Sequence, residues 1–387
     1  MKEEWHSATA DAFSTNRTIM KMVGTWPVEK RSLWYNVKWI LLLLFQVMGS
    51  RSPVKTSGKT LFYFPGTSHN EYAVGIVSEL VRATNLATNI AEANNDWVNY
   101  GGDSVSSGIM RRYMKIGRRV SLAQIATMIV INLTYSTMTI VLSNASLDLG
   151  NNTETTRIFV QPGSCLHSEV NDLQYVIICI IEFFECAIVI VNITVMNAIF
   201  SNAGMHLCGQ LFLLNRQFEE YCEGNEQRKR KIPIGDLVQR HCKLVQLAKS
   251  LNDTVSLYLF LQFLMSSVLL AVGGFRLISS LKCQHSKDVY KSSLIVMYVL
   301  TTPLFTAYVC DSLTAVSEDT YTSISNASWH NHSVGASKEL IFLMMRMSSP
   351  IRINAENFFS ISRLTVINIL KTAFSYISFL QVAIKDS

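Results

Sequence analysis

Residues 368–384 read NILKTAFSYISFLQVAI. The stretch decides the fold because it is apolar enough to enter a bilayer. It nevertheless holds several polar side chains. Steps of about 100° per residue place Asn368, Thr372 and Ser375 on one face of a helix. That face becomes apolar toward the helix end, at Phe379, Val382 and Ala383, and Tyr376 lies at its edge. The opposite face holds Val366, Ile369, Leu370, Ala373, Ile377 and Leu380.

Two interpretations of this polar face follow from the residues. Ser, Thr and Asn side chains in membranes often form hydrogen bonds to a neighbouring helix. A polar lining that gives way to apolar side chains also suits a water-filled path that closes by dewetting. Spacing alone favours packing against another helix.

The composition of the whole chain predicts an integral membrane protein. Of its 387 residues, 49% are apolar and only 16% are charged, against about 25% charged in a soluble domain. The mean hydropathy is +0.23. The net charge of +6 comes with short basic clusters such as 111–112 and 228–231, which indicate cytoplasmic loops rather than a nucleic-acid surface.

Six stretches have the length and apolar character of membrane spans. They are Leu33–Met48, Val120–Ser143, Leu173–Phe200, Val255–Ile278, Ser292–Val316 and Phe358–Ile384. Between the first two, Tyr72–Ile90 is interrupted by Glu79 and Arg82, and a central charge costs about 2.5–3.5 kcal/mol on insertion. This stretch predicts either a weak second span or an amphipathic surface helix.

The loops favour a cytoplasmic N-terminus. Most Lys and Arg residues fall in the segments that this orientation places inside, which are 1–32, 101–119, 201–253 and 317–357. The opposite loop, 144–172, has Arg157 as its one basic residue and carries glycosylation sequons at Asn144 and Asn151. No cleavable signal peptide is expected at the N-terminus.

The eight cysteines form no CxxC pair, and scattered thiols are preferred over a metal site at His206/Cys208 or His241/Cys242. No cofactor is expected. No catalytic triad order, phosphate loop or paired carboxylate motif indicates an enzyme or a transporter.

Several motifs resemble the insect odorant receptor family, particularly its hymenopteran branch. NRTIMKMVGTWP (16–27) is similar to the opening of that family, and HLCGQLFLL (206–214) resembles its motif after the fourth span. The most specific resemblance runs from Leu340 to Leu380. It comprises Arg346, Pro350, Asn357-Phe358-Phe359 and the Ser375-Tyr376 pair.

The resemblance implies an all-α integral membrane protein with a seven-transmembrane-helix odorant receptor fold, a cytoplasmic N-terminus and a weak or degenerate second span. The chain would form a single domain, 1–387. Its parts would be a cytoplasmic N-terminus (1–32), spans one to six (33–316), a cytoplasmic anchor region (317–357) and a pore-lining seventh span (358–384). Pro350 predicts a bend between anchor and pore helix, because proline breaks a helix.

The function implied is that of an odorant receptor. Family members bind small volatile ligands and form ligand-gated cation channels as heterotetramers with a co-receptor subunit. The expected location is the plasma membrane of a sensory neuron dendrite. The alternatives are a gustatory-receptor-type channel of the same superfamily, or a non-functional or misannotated receptor that lacks a proper second span. A G-protein-coupled receptor is disfavoured, since neither Asp-Arg-Tyr nor Asn-Pro-x-x-Tyr occurs where expected.

The resemblance also changes the interpretation of individual residues. It favours the aqueous interpretation of the terminal helix, with pore-lining or gating residues Thr372, Ser375, Tyr376, Phe379, Val382 and Ala383. It places an odorant pocket in the outer halves of the spans, where apolar and hydroxyl side chains are Tyr135, Met138, Thr139, Cys179, Phe183, Tyr298 and Thr302. Glu182 and Glu185 lie mid-span and are further candidates. A disulfide between Cys165 and Cys283, both in predicted outer loops, is possible.

Overall fold

The computed structural model describes residues 104–147, 172–222, 233–282, 286–327, 329, 334–356 and 358–385. The predicted spans Leu33–Met48 and Tyr72–Ile90 lie outside these residues, as do Cys165 and Cys283. Within them the fold is almost entirely helical. The helices are α1 (Ser104–Leu147), α2 (Asp172–Cys222), α3 (Ile234–Lys282), α4 (Ser286–Asn326), α5 (Val334–Met347) and α6 (Arg363–Lys385). One short antiparallel hairpin joins β1 (Asn354–Ala355) to β2 (Phe359–Ser360).

Four of the predicted spans lie inside helices that are much longer than a bilayer requires. α2 is 51 residues long and α3 is 49, whereas a span needs about 20. The additional turns are 104–119 of α1, 201–222 of α2 and 234–254 of α3, and all belong to segments predicted to be cytoplasmic. By length and composition α1, α3 and α4 are apolar enough to cross a membrane.

The main hydrophobic core lies among these extensions and the adjoining turns of α3 and α4. Its largest fully buried side chains include Phe218 of α2, Leu237 of α3 and Leu313 of α4. Large apolar side chains of the predicted spans are instead exposed, as at Val130 of α1 and Ile180 of α2. This distribution suits a protein whose spans are covered by lipid and whose part outside the bilayer must bury its own core.

A buried arginine fastens α3 to α2 in this core. Arg240 donates from Nη1 to Gln217 Oε1 and from Nη2 to Gln210 Oε1, both at 2.7 Å. Charge-assisted bonds of this kind compensate for removing a guanidinium from water. One of the basic residues that indicated a cytoplasmic segment is therefore structural.

The C-terminal part bends where proline predicts it. α5 ends at Met347, shortly before Pro350, so the predicted bend is confirmed. α4, in contrast, continues through Pro303. The start of the last helix was predicted wrongly, because α6 begins at Arg363 rather than Phe358. Phe359 and Ser360 pair with residues 354–355 as a strand, which takes them out of the helix.

Two glycines show how closely the helices approach. A Cβ added to Gly204 of α2 would lie 2.6 Å from Val309 Cγ1 of α4, and one added to Gly117 of α1 would lie 2.8 Å from Asn202 Oδ1 of α2. Both distances are too short for real contacts. Glycine is therefore required where α2 crosses its two neighbours.

We expect Gly204→Ala to destabilise the protein by about 1–3 kcal/mol, because valine in a helix has one strongly preferred rotamer and cannot turn its methyl group away. The measurement is the melting temperature of the purified chain in detergent. Adding Val309→Ala should recover part of the loss.

Gly108→Ala is the matched control, since nothing lies within 4 Å of a Cβ at that position of α1. It should leave stability unchanged or raise it by up to about 1 kcal/mol. Equal destabilisation by both alanines would contradict a close α2–α4 crossing.

Candidate functional site

Helix α6 has two faces, as its periodicity predicts. Val366, Ala373 and Ile377 are buried at 3%, 2% and 5% exposure, and α6 packs along α3 and α4. The polar residues Asn368, Thr372 and Ser375 are exposed on the other side. The predicted division of α6 into a packing face and an open face is therefore confirmed.

The hydroxyl groups of α6 form hydrogen bonds within their own helix. Thr372 Oγ1 donates to the carbonyl of Asn368 at 2.9 Å, and Ser378 Oγ donates to that of Phe374 at 2.9 Å. In the described part of the chain, no hydrogen bond joins the polar face of α6 to another helix. The packing interpretation of this face therefore finds no partner inside the described chain.

The C-terminal part of the open face carries large apolar side chains. Tyr376 is 57% exposed, Phe379 70% and Val382 60%. Ala383 belongs to α6, but its side chain lies outside the described set. The predicted order along the face, polar first and then apolar, is thus present as an uncovered surface of this chain.

A hairpin fixes the start of α6. Ile361 N donates to the Ile353 carbonyl at 2.9 Å, and Phe358 N closes the turn on the Ala355 carbonyl at 2.9 Å. Glu356 has a positive φ of 44° in this turn, a conformation in which a non-glycine residue needs support from its surroundings. A turn therefore precedes α6 where the sequence predicted an elbow, although Asn357 lies outside the described residues. The cytoplasmic anchor region before it stays a prediction.

Helix α3 supplies the polar support for the elbow. Ser256 Oγ donates to Glu356 Oε1 at 2.8 Å, and Asn252 Oδ1 accepts from the backbone N–H of Asn354 at 2.7 Å. These bonds pin both the turn and the first strand to one stripe of α3.

Aromatic contacts continue this stripe. The Phe260 ring stacks on Phe358 with centroids 4.9 Å apart and planes 21° apart. Phe263 lies 6.0 Å from Phe359 at a tilted angle. Aromatic pairs of this geometry contribute about 0.5–1.5 kcal/mol each beyond the area they bury. The two hairpin phenylalanines therefore dock on α3 rather than beginning the helix.

Asp311 of α4 holds the first residue of α6. Its Oδ2 accepts from Arg363 N at 3.1 Å and from Arg363 Nε at 2.6 Å. Ser362 caps the same helix end through its contact with the Thr365 N–H at 3.3 Å. A carboxylate at a helix N-terminus also interacts favourably with the helix dipole. α6 is thus fixed to α3 and to α4 at its start.

Sequence reasoning missed these supporting residues, although a signal was present. Asn252, Ser256 and Phe260 recur at intervals of four, which places them on one face of α3. Asp311 is a carboxylate inside a predicted span, and such residues are functional candidates by default.

One of the two predicted pocket residues on α4, Tyr298, lies beside the packing face of α6. Thr302 is buried at 7% exposure. Tyr298 is half-buried and packs against a cluster that joins three helices. The core of that cluster is Leu270 and Ala271 of α3, Val299 of α4 and Ala373 of α6. A molecule that displaced Tyr298 would therefore act on contacts that hold α6.

The other predicted pocket residues lie on α1 and α2. Tyr135 and Met138 are half-buried on α1. Phe183 on α2 is half-buried and meets Phe184 edge-on, with centroids 5.7 Å apart. The side chains of Thr139, Cys179, Glu182 and Glu185 lie outside the described set. A shared pocket for these residues stays a prediction.

Comparisons with known proteins agree with this architecture. The sequence profile described as 7tm Odorant receptor matches residues 103–374. Odorant receptor 67c of Drosophila melanogaster is 22% identical over 185 residues, which covers 47% of this chain and 44% of that protein. The chain therefore matches less than half of the length of this relative.

Solved structures extend the likeness to nearly the whole chain. The insect olfactory receptor OR5 from Machilis hrabei superposes with a TM-score of 0.71 at 14% identity, covering 95% of this chain and 97% of its own. The complex of the same receptor with eugenol superposes with a TM-score of 0.74 at 13% identity, and the match covers 96% of this chain and 97% of that one. The fold of this chain is that of a seven-span insect olfactory receptor.

We expect Asp311→Asn to loosen the start of α6, because the change removes the charge that holds the Arg363 N–H and side chain. If the start of α6 loses about 1 kcal/mol of stabilisation, amide exchange in a peptide covering 360–370 becomes about fivefold faster. Hydrogen–deuterium exchange of the purified chain measures this.

Glu318→Gln is the matched control on the same helix. Glu318 lies 4.0 Å from Arg352, and both side chains are more than half exposed, so this pair contributes little. Exchange over 360–370 should not change. Faster exchange in both variants, or in neither, would contradict the role of Asp311.

Proposed function

The chain belongs to the 7tm odorant receptor family, and from this premise we propose that it binds small volatile molecules and, with a co-receptor subunit, forms a ligand-gated, non-selective cation channel. Membership confirms the family inferred from the C-terminal motifs, while the hymenopteran branch stays a prediction. The chain is a membrane-embedded, multi-pass receptor. Its proposed location is the plasma membrane of an olfactory neuron dendrite.

The open face of α6 is the observation that carries the proposal. Asn368, Lys371, Thr372 and Ser375 are all exposed along it. Facing lipid with such groups is costly, and polar residues in membranes generally face protein or a water-filled cavity. A single helix cannot enclose water, so the proposed path needs α6 together with the equivalent helices of other subunits. This requirement supports the proposed heterotetramer with a co-receptor.

The proposed gate lies in the outer part of this face. Phe379 and Val382 project from the chain at 70% and 60% exposure. Apolar side chains that narrow a pore exclude water without a plug. We assign gating to these residues and to Ala383, and water contact in the conducting path to Thr372, Ser375 and Tyr376.

The proposed odorant site lies next to the helix that it controls. The Machilis relative was solved with eugenol, and for this chain we propose a small ligand among Tyr135, Met138, Thr139, Cys179, Phe183, Tyr298 and Thr302. The contact of Tyr298 with the cluster that includes Ala373 supports a direct route from ligand to pore helix. Because packed clusters have discrete arrangements, a shift of Tyr298 biases the position of α6.

We expect Phe379→Ala, co-expressed with a co-receptor, to raise the basal current severalfold, because a smaller apolar side chain leaves the constriction wetter. Whole-cell current without ligand measures this, together with the reversal potential. Phe374→Ala is the matched control, since Phe374 is 63% exposed on α6 but lies about 140° around the helix from Phe379. Unchanged basal current in Phe379→Ala at normal surface expression would contradict the gate.

We expect Tyr298→Ala to shift the odorant dose–response curve by about tenfold or more, because it removes an aromatic wall of the pocket. Tyr308→Ala is the same change in the same helix, at an exposed position outside the predicted pocket, and should leave the curve in place. Currents evoked by an odorant panel measure both. An unchanged curve for Tyr298→Ala, or an equal shift for Tyr308→Ala, would argue against this pocket.

A further inference from the structure

A cavity of about 340 Å³ lies on the predicted cytoplasmic side, away from the proposed odorant pocket. It is formed by α3, the ends of α4 and α5, and the linker that leads from Pro350 to β1. Its volume is within the range of small-molecule sites. Neither the proposed pore nor the proposed odorant pocket uses any of its residues.

Basic side chains dominate the rim of this cavity. Lys249, Arg346 and Arg352 line it, against the single carboxylate of Asp253. Arg352 has only a long contact of 4.0 Å with the exposed Glu318. Among the ion pairs and hydrogen bonds of the described chain, none engages Lys249 or Arg346. Two cations are thus left without an anion at the edge of an open cavity.

The floor of the cavity offers neutral hydrogen-bond donors. Ser317 is buried and its Oγ accepts from the Ile351 N–H at 3.0 Å, which leaves its own O–H to donate. His241 is buried at 7% exposure. Burial, together with the nearby guanidinium of Arg346, lowers the pKa of His241 to about 4, so the ring is neutral at cellular pH and keeps an N–H.

A basic rim above hydroxyl and imidazole donors matches one ligand chemistry. A phosphate monoester carries close to two negative charges at neutral pH and several acceptor oxygens. Arginine binds such oxygens in pairs and lysine binds them as a point charge. We propose that this cavity binds the phosphate group of a phosphorylated small molecule, either an inositol phospholipid headgroup from the inner leaflet or a free phosphorylated metabolite.

Occupancy would act on the elbow of α6. Asn252 and Asn354 both line the cavity, and the 2.7 Å bond between them ties the linker to α3. A ligand held by Arg346 of α5 and Lys249 of α3 would join the two sides of this linker. The cavity is therefore a regulatory site that stiffens the start of α6, and the binding itself does not depend on the proposed channel activity.

The test measures binding to the purified full chain. Inositol trisphosphate is the soluble probe and is added to the chain in detergent. For the lipid probe the chain is reconstituted in nanodiscs that contain phosphatidylinositol bisphosphate, and nanodiscs that contain phosphatidylserine at equal total charge are the control. Arg346→Gln and Lys249→Gln should each weaken binding about tenfold, since each removes a charge-assisted hydrogen bond.

Lys338→Gln is the matched control, because Lys338 is an exposed cation on α5 that does not line the cavity. The affinity of the Lys338→Gln variant for either probe should equal that of the wild type. The rim residues are exposed, so all variants should keep the wild-type melting temperature, which separates loss of binding from loss of folding.

Either probe bound with the expected dependence on Arg346 and Lys249 supports the site, and the probe that binds identifies the source of the phosphate. Preference for phosphatidylinositol bisphosphate over phosphatidylserine assigns the lipid, and binding of trisphosphate alone assigns a soluble metabolite. No binding of either probe overturns the proposal. So does equal weakening by Lys338→Gln, which would reveal attraction to a basic surface without a defined site.

Discussion

The docking of a seven-residue hairpin on helix α3 is the constraint on which the position of the last helix depends. Phe358 stacks on Phe260, and Glu356 and Asn354 are held by Ser256 and Asn252. Because Glu356 adopts a left-handed conformation in the turn, this geometry persists only while its surroundings hold it. The docked hairpin fixes the point at which α6 begins and the direction in which it runs. At this point Asp311 accepts a hydrogen bond from the N–H of Arg363, the first residue of α6.

Because its start is fixed, α6 packs against the rest of the chain with one particular face. Among the described side chains of α6, only Val366, Ala373 and Ile377 are buried, so most of the described surface of this helix is left to other molecules. In a soluble protein water would cover it. In a bilayer the polar part must meet water or protein. The proposed assembly with other subunits around an aqueous path would provide both.

The sequence predicted the parts of this arrangement that periodicity and proline determine. The two faces of α6 follow from spacing, and the bend follows from Pro350, so both were predictable. The start of α6 was not, because Phe358 and Phe359 have the apolar character of a span and their pairing with residues 354–355 is a tertiary event. The roles of Asp311 and Ser256 were not predictable for the same reason, because their hydrogen-bond partners lie 52 and 100 residues away in the sequence. The helical form of 201–222 and 234–254 was also missed, since their buried Gln and Arg side chains resemble a polar loop.

Helix α3 holds the hairpin that precedes α6 and the later turns of α6 with different chemistry. Its contacts with the hairpin are hydrogen bonds and stacked rings, which have preferred directions and weaken steeply when displaced. Farther out the contacts are between small or aliphatic groups, and a Cβ added to Gly274 would lie 2.5 Å from Ile377 Cδ1. Dispersion contacts of that kind have no preferred direction, so sliding there costs less than bending the hairpin. In the proposed channel, a displacement that begins at Tyr298 would therefore move the C-terminal part of α6, where Phe379 and Val382 lie, and the elbow would be the fixed point.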